Sequence, residues 1–127
     1  MPAKGDYYIV VVKPSHIDWG EYRNPTNRPI IKGESYVKIP SNYARKYDIV
    51  RGNIYTAHFA NGFPSMTIKA SGNGPYKNGI QYAKQFEGVG HGACKAFTPW
   101  YRANNIIAGD RIRVEFISAK EIIFIKV

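Results

Sequence analysis

Across 127 residues there is no leucine at all. The apolar content rests instead on isoleucine and valine, with ten tyrosines and six phenylalanines. Leucine is among the better helix formers, whereas β-branched and aromatic side chains fit a pleated, half-buried surface. A chain with this vocabulary is expected to be mainly β. Its length fits one domain, residues 1–127, able to bury roughly two-thirds of the surface of the unfolded chain. Residues 1–5 are expected to form a loose end.

Short alternating segments follow one another along the chain. Residues 6–13, DYYIVVVK, read as a first strand; the run is so nearly continuous in apolar residues that burial on both faces is expected. Residues 36–39 alternate and end at Pro40, which has no N–H to donate onward. Ser41 is a candidate N-cap for a short helix whose Tyr43, Ala44 and Tyr47 share one face. Arg51, Gly52 and Asn53 break the chain. Asn61-Gly62 is a tight-turn signal, so residues 54–60 and 63–70 read as a hairpin with Met66, Ile68 and Ala70 inward.

Residues 80–86 resume as a strand, broken by the glycines of 88–92. FTPWYRANN, residues 97–105, suggests a second helix capped by Thr98 with Pro99 at its first position. In residues 111–117, Ile112, Val114 and Phe116 fall on one face and Arg111, Arg113 and Glu115 on the other. Residues 121–127 close the chain. About seven short strands and two short helices indicate a sandwich or barrel.

Two polar stretches stand outside this pattern. Residues 15–33, SHIDWGEYRNPTNRPIIKG, have no usable period, and a loop this long in a compact domain is usually functional or disordered. Its Trp19 and Tyr22 argue against simple disorder. Residues 71–79, SGNGPYKNG, form a second such loop.

The formal net charge is +9 and the pI about 9.7, a balance suited to a polyanionic partner, most commonly nucleic acid. Cys94 stands alone, so no internal disulfide can form, and a reducing, cytoplasmic location is expected. No apolar run approaches the ~20 residues of a membrane span, and no signal-peptide core opens the chain. Catalytic signals are weak. His91 lies three residues before Cys94 without the further ligands a zinc site needs, and His58 reads as a packed residue in a strand. Glu115 and Glu121 have no evident partner cluster, and the glycines at 88, 90 and 92 lack a following helix. The expectation is a binding module without a cofactor or a catalytic site, monomeric as an isolated domain.

YVKIPSNYARKYDI followed by a hairpin, and later FTPWYRANNIIAGDRIRVEFI, together resemble the DNA-binding pseudobarrel family. The matching positions are Ile39-Pro40, Tyr43-Ala44, Trp100, Gly109-Asp110 and Phe116, and the resemblance spans roughly residues 7–127. This family includes the B3 domains of plant transcription factors and the recognition or effector domains of restriction endonucleases of the EcoRII and BfiI types. The resemblance implies a seven-stranded open pseudobarrel with two short helices. It also implies that two loops, between the first and second and the fourth and fifth strands, grip the major groove of double-stranded DNA. The first loop is longer than in the plant domains, which favours the restriction-enzyme branch and a nuclease domain or subunit as partner. VKIPSNYARKYDIVRGN also resembles the swapped-hairpin unit of AbrB-like regulators, which must dimerise; an RNA- or carbohydrate-binding barrel using the aromatics is a third reading.

The two polar stretches are where the resemblance places those loops. Arginine pairs bidentately with guanine, asparagine or glutamine with adenine, and a carboxylate accepts from cytosine. The first loop offers Asp18, Trp19, Glu21, Tyr22, Arg23, Asn24, Asn27 and Arg28. The bland alternative is that Arg23 and Arg28 merely pair with Asp18 and Glu21 on a solvated surface. The second loop and its flank offer Ser71, Asn73, Tyr76, Lys77, Asn78, Gln81 and Lys84. Lys13, Lys32, Lys38, Arg45 and Lys95 are weaker phosphate candidates.

Overall fold

The inward rows expected from the period-two pattern are the rows that build the core. In a computed structural model, which describes residues 2–13, 16, 35–90 and 95–127, nine strands form in chain order. They are β1 (Tyr7–Val11), β2 (Val37–Lys38), β3 (Ile54–Phe59), β4 (Met66–Ser71), β5 (Tyr76–Lys77), β6 (Ile80–Gln81), β7 (Gln85–Gly88), β8 (Arg111–Ser118) and β9 (Glu121–Lys126). Two short helices, α1 (Ser41–Lys46) and α2 (Thr98–Ala103), interrupt them. Seven strands make one sheet in the order β1-β8-β9-β3-β4-β7-β2, while β5 and β6 pair only with each other.

Every ladder of the large sheet is antiparallel except β3 with β9, which runs parallel. The sheet curls until its two edge strands meet, where the Tyr8 hydroxyl donates to the carbonyl of Lys38 at 3.0 Å. The result is a mainly β, seven-stranded open pseudobarrel with two short helices.

Aromatic side chains fill the barrel. Phe124 is fully buried, with ring centroids 5.5 Å from Phe59, 5.3 Å from Phe97, and 6.1 Å from both Trp100 and Phe86. α2 supplies Trp100 to this cluster, and Tyr101 beside it donates its hydroxyl to the Tyr36 carbonyl at 2.6 Å. α1 caps the structure from another side: Tyr43 stacks on Tyr8 at 5.3 Å, and the Tyr47 hydroxyl donates to the Tyr7 carbonyl at 2.8 Å. The face expected of Tyr43, Ala44 and Tyr47 is thus the face that packs.

Four local expectations are corrected. Asn61-Gly62 is not a two-residue turn but part of a 3-10 turn, Ala60–Gly62, in a wide loop between β3 and β4. Pro64 lacks an N–H, so the ladder cannot close tightly there and pairing begins only at Ala57↔Met66. Neither Ser41 nor Thr98 is an N-cap: Pro40 and Phe97 hold those positions, with no side-chain cap, and the Thr98 hydroxyl lies 2.7 Å from that of Ser35. Residues 80–86 are not one strand. Ile80 and Gln81 fold back on β5, and β7 starts at Gln85 and runs to Gly88.

Nor is β1 buried on both faces. It has a single neighbour, β8, and its outer row of Tyr7, Ile9 and Val11 is exposed, with Arg113 lying 3.9 Å over the Tyr7 ring. Ahead of it, the Gly5 N–H donates to the Phe116 carbonyl and the Ala3 N–H to Asp6 Oδ2, so this end, expected to be loose, is tied to β8. Among the described residues no helix is long and apolar enough to cross a membrane. Since Phe124 joins β9 to β3, β7 and α2, Phe124→Ala is expected to cost about 3–5 kcal/mol, read as a lower urea midpoint with little change in slope.

Candidate nucleic-acid interface

The two polar stretches re-enter the sheet on neighbouring strands. Residues 17–34 leave after β1 and return ahead of β2, and the second stretch leaves β4 and returns at β7. β2 and β7 pair antiparallel through Val37↔Phe86 and Lys38↔Gln85, and the Ile39 N–H then donates to the Lys84 carbonyl at 3.0 Å. This ladder is only two or three residues long and forms a narrow floor beside the segment that joins β4 to β7. Directly opposed residues point to one face of a sheet. Val37 and Phe86 are buried inward, so Lys38 and Gln85 lie on the other face, in register with Ser71 of β4; Lys38 is partly exposed, while Gln85 is buried and donates to Glu87 at 3.3 Å.

That floor gathers positive charge. Burial, followed by the nearby Lys84 and Lys13 ammonium groups, lowers the pKa of Lys38. Among the described residues no ion pair involves Lys13, Lys38 or Lys84, whereas Lys69, Arg113 and Lys126 sit beside Glu87, Glu115 and Asp110 at 3.9, 2.7 and 3.6 Å. Like charges held together at a partly dehydrated surface attract anions, and an ammonium beside a phosphate regains both its charge partner and its hydrogen bonds. Lys13 and Lys38, ranked as weak candidates from sequence, thus join Lys84. Only the registers reveal this, since the three are far apart along the chain.

His16 closes the base of the first stretch. Its Nδ1 accepts from the Lys13 N–H at 3.1 Å, its carbonyl accepts from the Tyr36 N–H at 3.0 Å, and its ring lies 5.1 Å from that of Tyr36. Burial, then the charges of Lys38 and Lys13, lower its pKa from 6.5 to about 4, so the imidazole is neutral at pH 7. Asp18, Trp19, Glu21, Tyr22, Arg23, Asn24, Asn27 and Arg28 lie outside the described residues, as do His91 and Cys94.

The second stretch is an arm rather than an open loop. β5 and β6 form a ribbon joined by Asn78 and Gly79, both at positive φ (52° and 79°), which is the type I′ hairpin turn favoured by Asn-Gly. The arm's lower part is locked to the sheet. The Gly74 N–H donates to the Tyr82 carbonyl, the Tyr82 N–H to Pro75, and the Lys84 N–H to Ser71 at 2.7 Å. A Cβ on Gly74 would sit 2.4 Å from the Ala83 carbonyl oxygen, so only glycine lets these segments meet.

The predicted residues therefore divide. Tyr76, Lys77 and Asn78 are exposed at the tip, and Ser71 and Lys84 flank the floor. Gln81 and Asn73 are engaged within the protein. Gln81 Nε2 lies 2.9–3.3 Å from the carbonyl oxygens of Tyr82, Gly74 and Pro75, and Asn73 Oδ1 accepts from Arg51 at 2.9 Å.

Elsewhere the expected isolation of two carboxylates is corrected. Glu115 pairs with Arg113, and Glu121 meets His58 Nε2 at 3.2 Å and the Ser118 hydroxyl at 3.0 Å. His58 Nδ1 lies 2.8 Å from the Ser65 hydroxyl, so this histidine bridges the β3–β4 loop to β9.

No protein-family model matches the chain, and neither does any curated protein. Among solved structures the chain is similar to the "Arabidopsis FUS3-DNA complex", with a TM-score of 0.54 and 15% identity over 94% of this chain and 93% of that one. That neighbour is a plant B3 domain, and the likeness over nearly both full lengths shows a shared B3-like pseudobarrel fold.

The site's construction sets two expectations. Gly74→Ala should lift the arm off Ala83, seen as faster amide exchange at Gly74, Tyr82 and Lys84 while the exchange of β8 and β9 stays as it was. His16 is the second. Between pH about 6.5 and 4 the unfolded chain binds a proton that the folded chain refuses. The stabilisation from neutral His16 is therefore complete above pH 6.5, lost as pH falls toward 4, and constant below. In urea titrations across that window, His16→Asn should show a shallower loss of stability than the parent; parallel curves would contradict it.

Proposed function

We propose that this chain recognises a short sequence in double-stranded DNA, gripping the major groove between residues 15–33 and the 72–84 arm. The observation that carries this reading is the floor between them, where Lys13, Lys38 and Lys84 gather without an acidic partner among the described residues. A net charge of +9 supplies the long-range attraction. The similar fold of the Arabidopsis protein is titled as a complex with DNA, which supports the same use of the barrel here. In this reading the floor lysines hold phosphates and set orientation, while the flanking stretches meet the bases.

The first stretch brings Asp18, Glu21, Arg23, Asn24, Asn27 and Arg28, a set with the donors and acceptors that base edges require. Carboxylates would weaken a grip made of charge alone, so their presence there favours sequence reading over general DNA affinity. The length of residues 15–33 supports the finer reading: the recognition or effector module of a restriction endonuclease, cytoplasmic, with catalysis on a separate domain or subunit. The chain itself then performs no reaction, needs no cofactor and acts as a monomer.

Selection of bound duplexes from a random pool tests this directly. One short motif should be enriched and bound more tightly than about 1 μM, with affinity falling steeply as salt rises. Lys38→Gln and Lys84→Gln should each reduce the slope of log K against log salt by about 0.9 for every phosphate left without its lysine, with the motif unchanged. Arg23→Ala or Arg28→Ala should instead relax the motif at guanines. A pool that returns no motif, or equal affinity for single-stranded RNA, contradicts the proposal.

A further inference from the structure

We infer that the end of the barrel where β3 and β9 begin binds a small uncharged molecule, which offers a carbonyl-type oxygen to Tyr55 and an apolar body to Val50 and Ile54. A cleft of about 550 Å³ opens there, between residues 48–55 and the β8–β9 turn. Small-molecule sites run from roughly 300 to 1,000 Å³, and the mouths of β-barrels are among their usual places. None of Lys13, Lys38 and Lys84 lines this cleft. Its occupancy is therefore independent of the DNA-binding reading.

Tyr55 is the group that calls for a ligand. Its ring packs inside the barrel, edge-on to Phe86 and Phe116 with centroids at 5.6 and 6.0 Å, and the residue is 3% exposed. At the cleft its hydroxyl accepts from Asn53 Nδ2 at 3.2 Å. Burial raises its pKa; the Asn53 hydrogen bond opposes this and the Asp48 charge adds to it, so the hydroxyl keeps its proton at neutral pH. Among the described residues no group accepts that proton. Buried polar groups in native proteins are nearly all hydrogen-bonded, so a buried donor left over at a cleft marks the place of a ligand oxygen.

The rest of the lining selects against net charge. Among the described residues it holds one carboxylate, Asp48, and one ammonium, Lys120. An ion of either sign is drawn to one and repelled by the other, and it loses hydration on entry. Val50 and Ile54 form an apolar wall, on which Ile54 is 48% exposed. Both sides of the cleft are tied down before any ligand arrives. The Lys120 carbonyl accepts from the Thr56 N–H at 2.8 Å, the Asn53 N–H donates to the Val50 carbonyl at 3.0 Å, and the Asn53 carbonyl accepts from the Ala70 N–H at 2.9 Å. Little ordering is left for binding to impose.

The test titrates the isotope-labelled full chain with benzamide, benzoate and benzylamine, which share a ring and differ in charge. Benzamide should give saturable amide shifts at Val50, Asn53, Tyr55 and Lys120, and both ions should bind more weakly. Tyr55→Phe should weaken benzamide roughly three- to tenfold, the worth of one neutral hydrogen bond, with the urea midpoint little changed. Lys120→Gln leaves the carboxylate alone among the lining charges and should raise the affinity for benzylamine relative to benzoate. No saturable shift at these residues, tighter binding of either ion to the parent chain, or benzamide affinity unchanged in Tyr55→Phe overturns the inference. A large fall in the urea midpoint of Tyr55→Phe also overturns it, since the hydroxyl would then serve the fold.

Discussion

The parallel ladder between β3 and β9 holds the molecule together as one sheet. Thr56, Ala57, His58 and Phe59 lie beside Glu121, Ile122, Ile123 and Phe124, partners some 65 residues apart in sequence. On one side stand β1, β8 and β9, and on the other β3, β4, β7 and β2. Without this seam the two groups would each expose an inner row of buried aromatic and aliphatic side chains. The seam also sets Phe59 beside Phe124, and α2 packs Trp100 against that pair. His58, bonded to both Ser65 and Glu121, spans the same junction from outside. Closing so distant a contact is entropically costly, so assembly of this barrel should be limited by it.

The strands within each group were legible because their signal is local. Alternation in Ile112, Val114 and Phe116, and in Met66, Ile68 and Ala70, names the inward face whatever the partner strand is. Capping and turn chemistry proved less readable. The two Asn-Gly pairs look alike in sequence, yet only Asn78-Gly79 makes a two-residue turn, because Pro64 follows Asn61-Gly62 within two residues. β1 misled for the opposite reason: its continuous apolar run suggested burial on both faces, but only one is covered. The lysine floor could not be read at all before the registers were known, since it depends on β2 lying beside β7.

Lys69, Arg113 and Lys126 lie beside the carboxylates of Glu87, Glu115 and Asp110 and belong to the scaffold. Exposed ion pairs of this sort contribute little to stability. Lys13, Lys38 and Lys84 lie near one another at the β2–β7 floor, and burial there disfavours the charge on Lys38. The arm beside the floor is hydrogen-bonded to the sheet at its base and exposed at its tip.

The proposed grip on DNA uses the floor and the arm and leaves out the outer face of β1, β8 and β9. Titration of the isotope-labelled protein with an enriched duplex, followed by backbone amide chemical shifts, tests that separation most directly. Shifts are expected at Lys13, Lys38, Lys84 and residues 76–80, with Ile9, Arg113 and Ile125 unmoved. Shifts concentrated on that outer face, with the floor silent, would contradict the account.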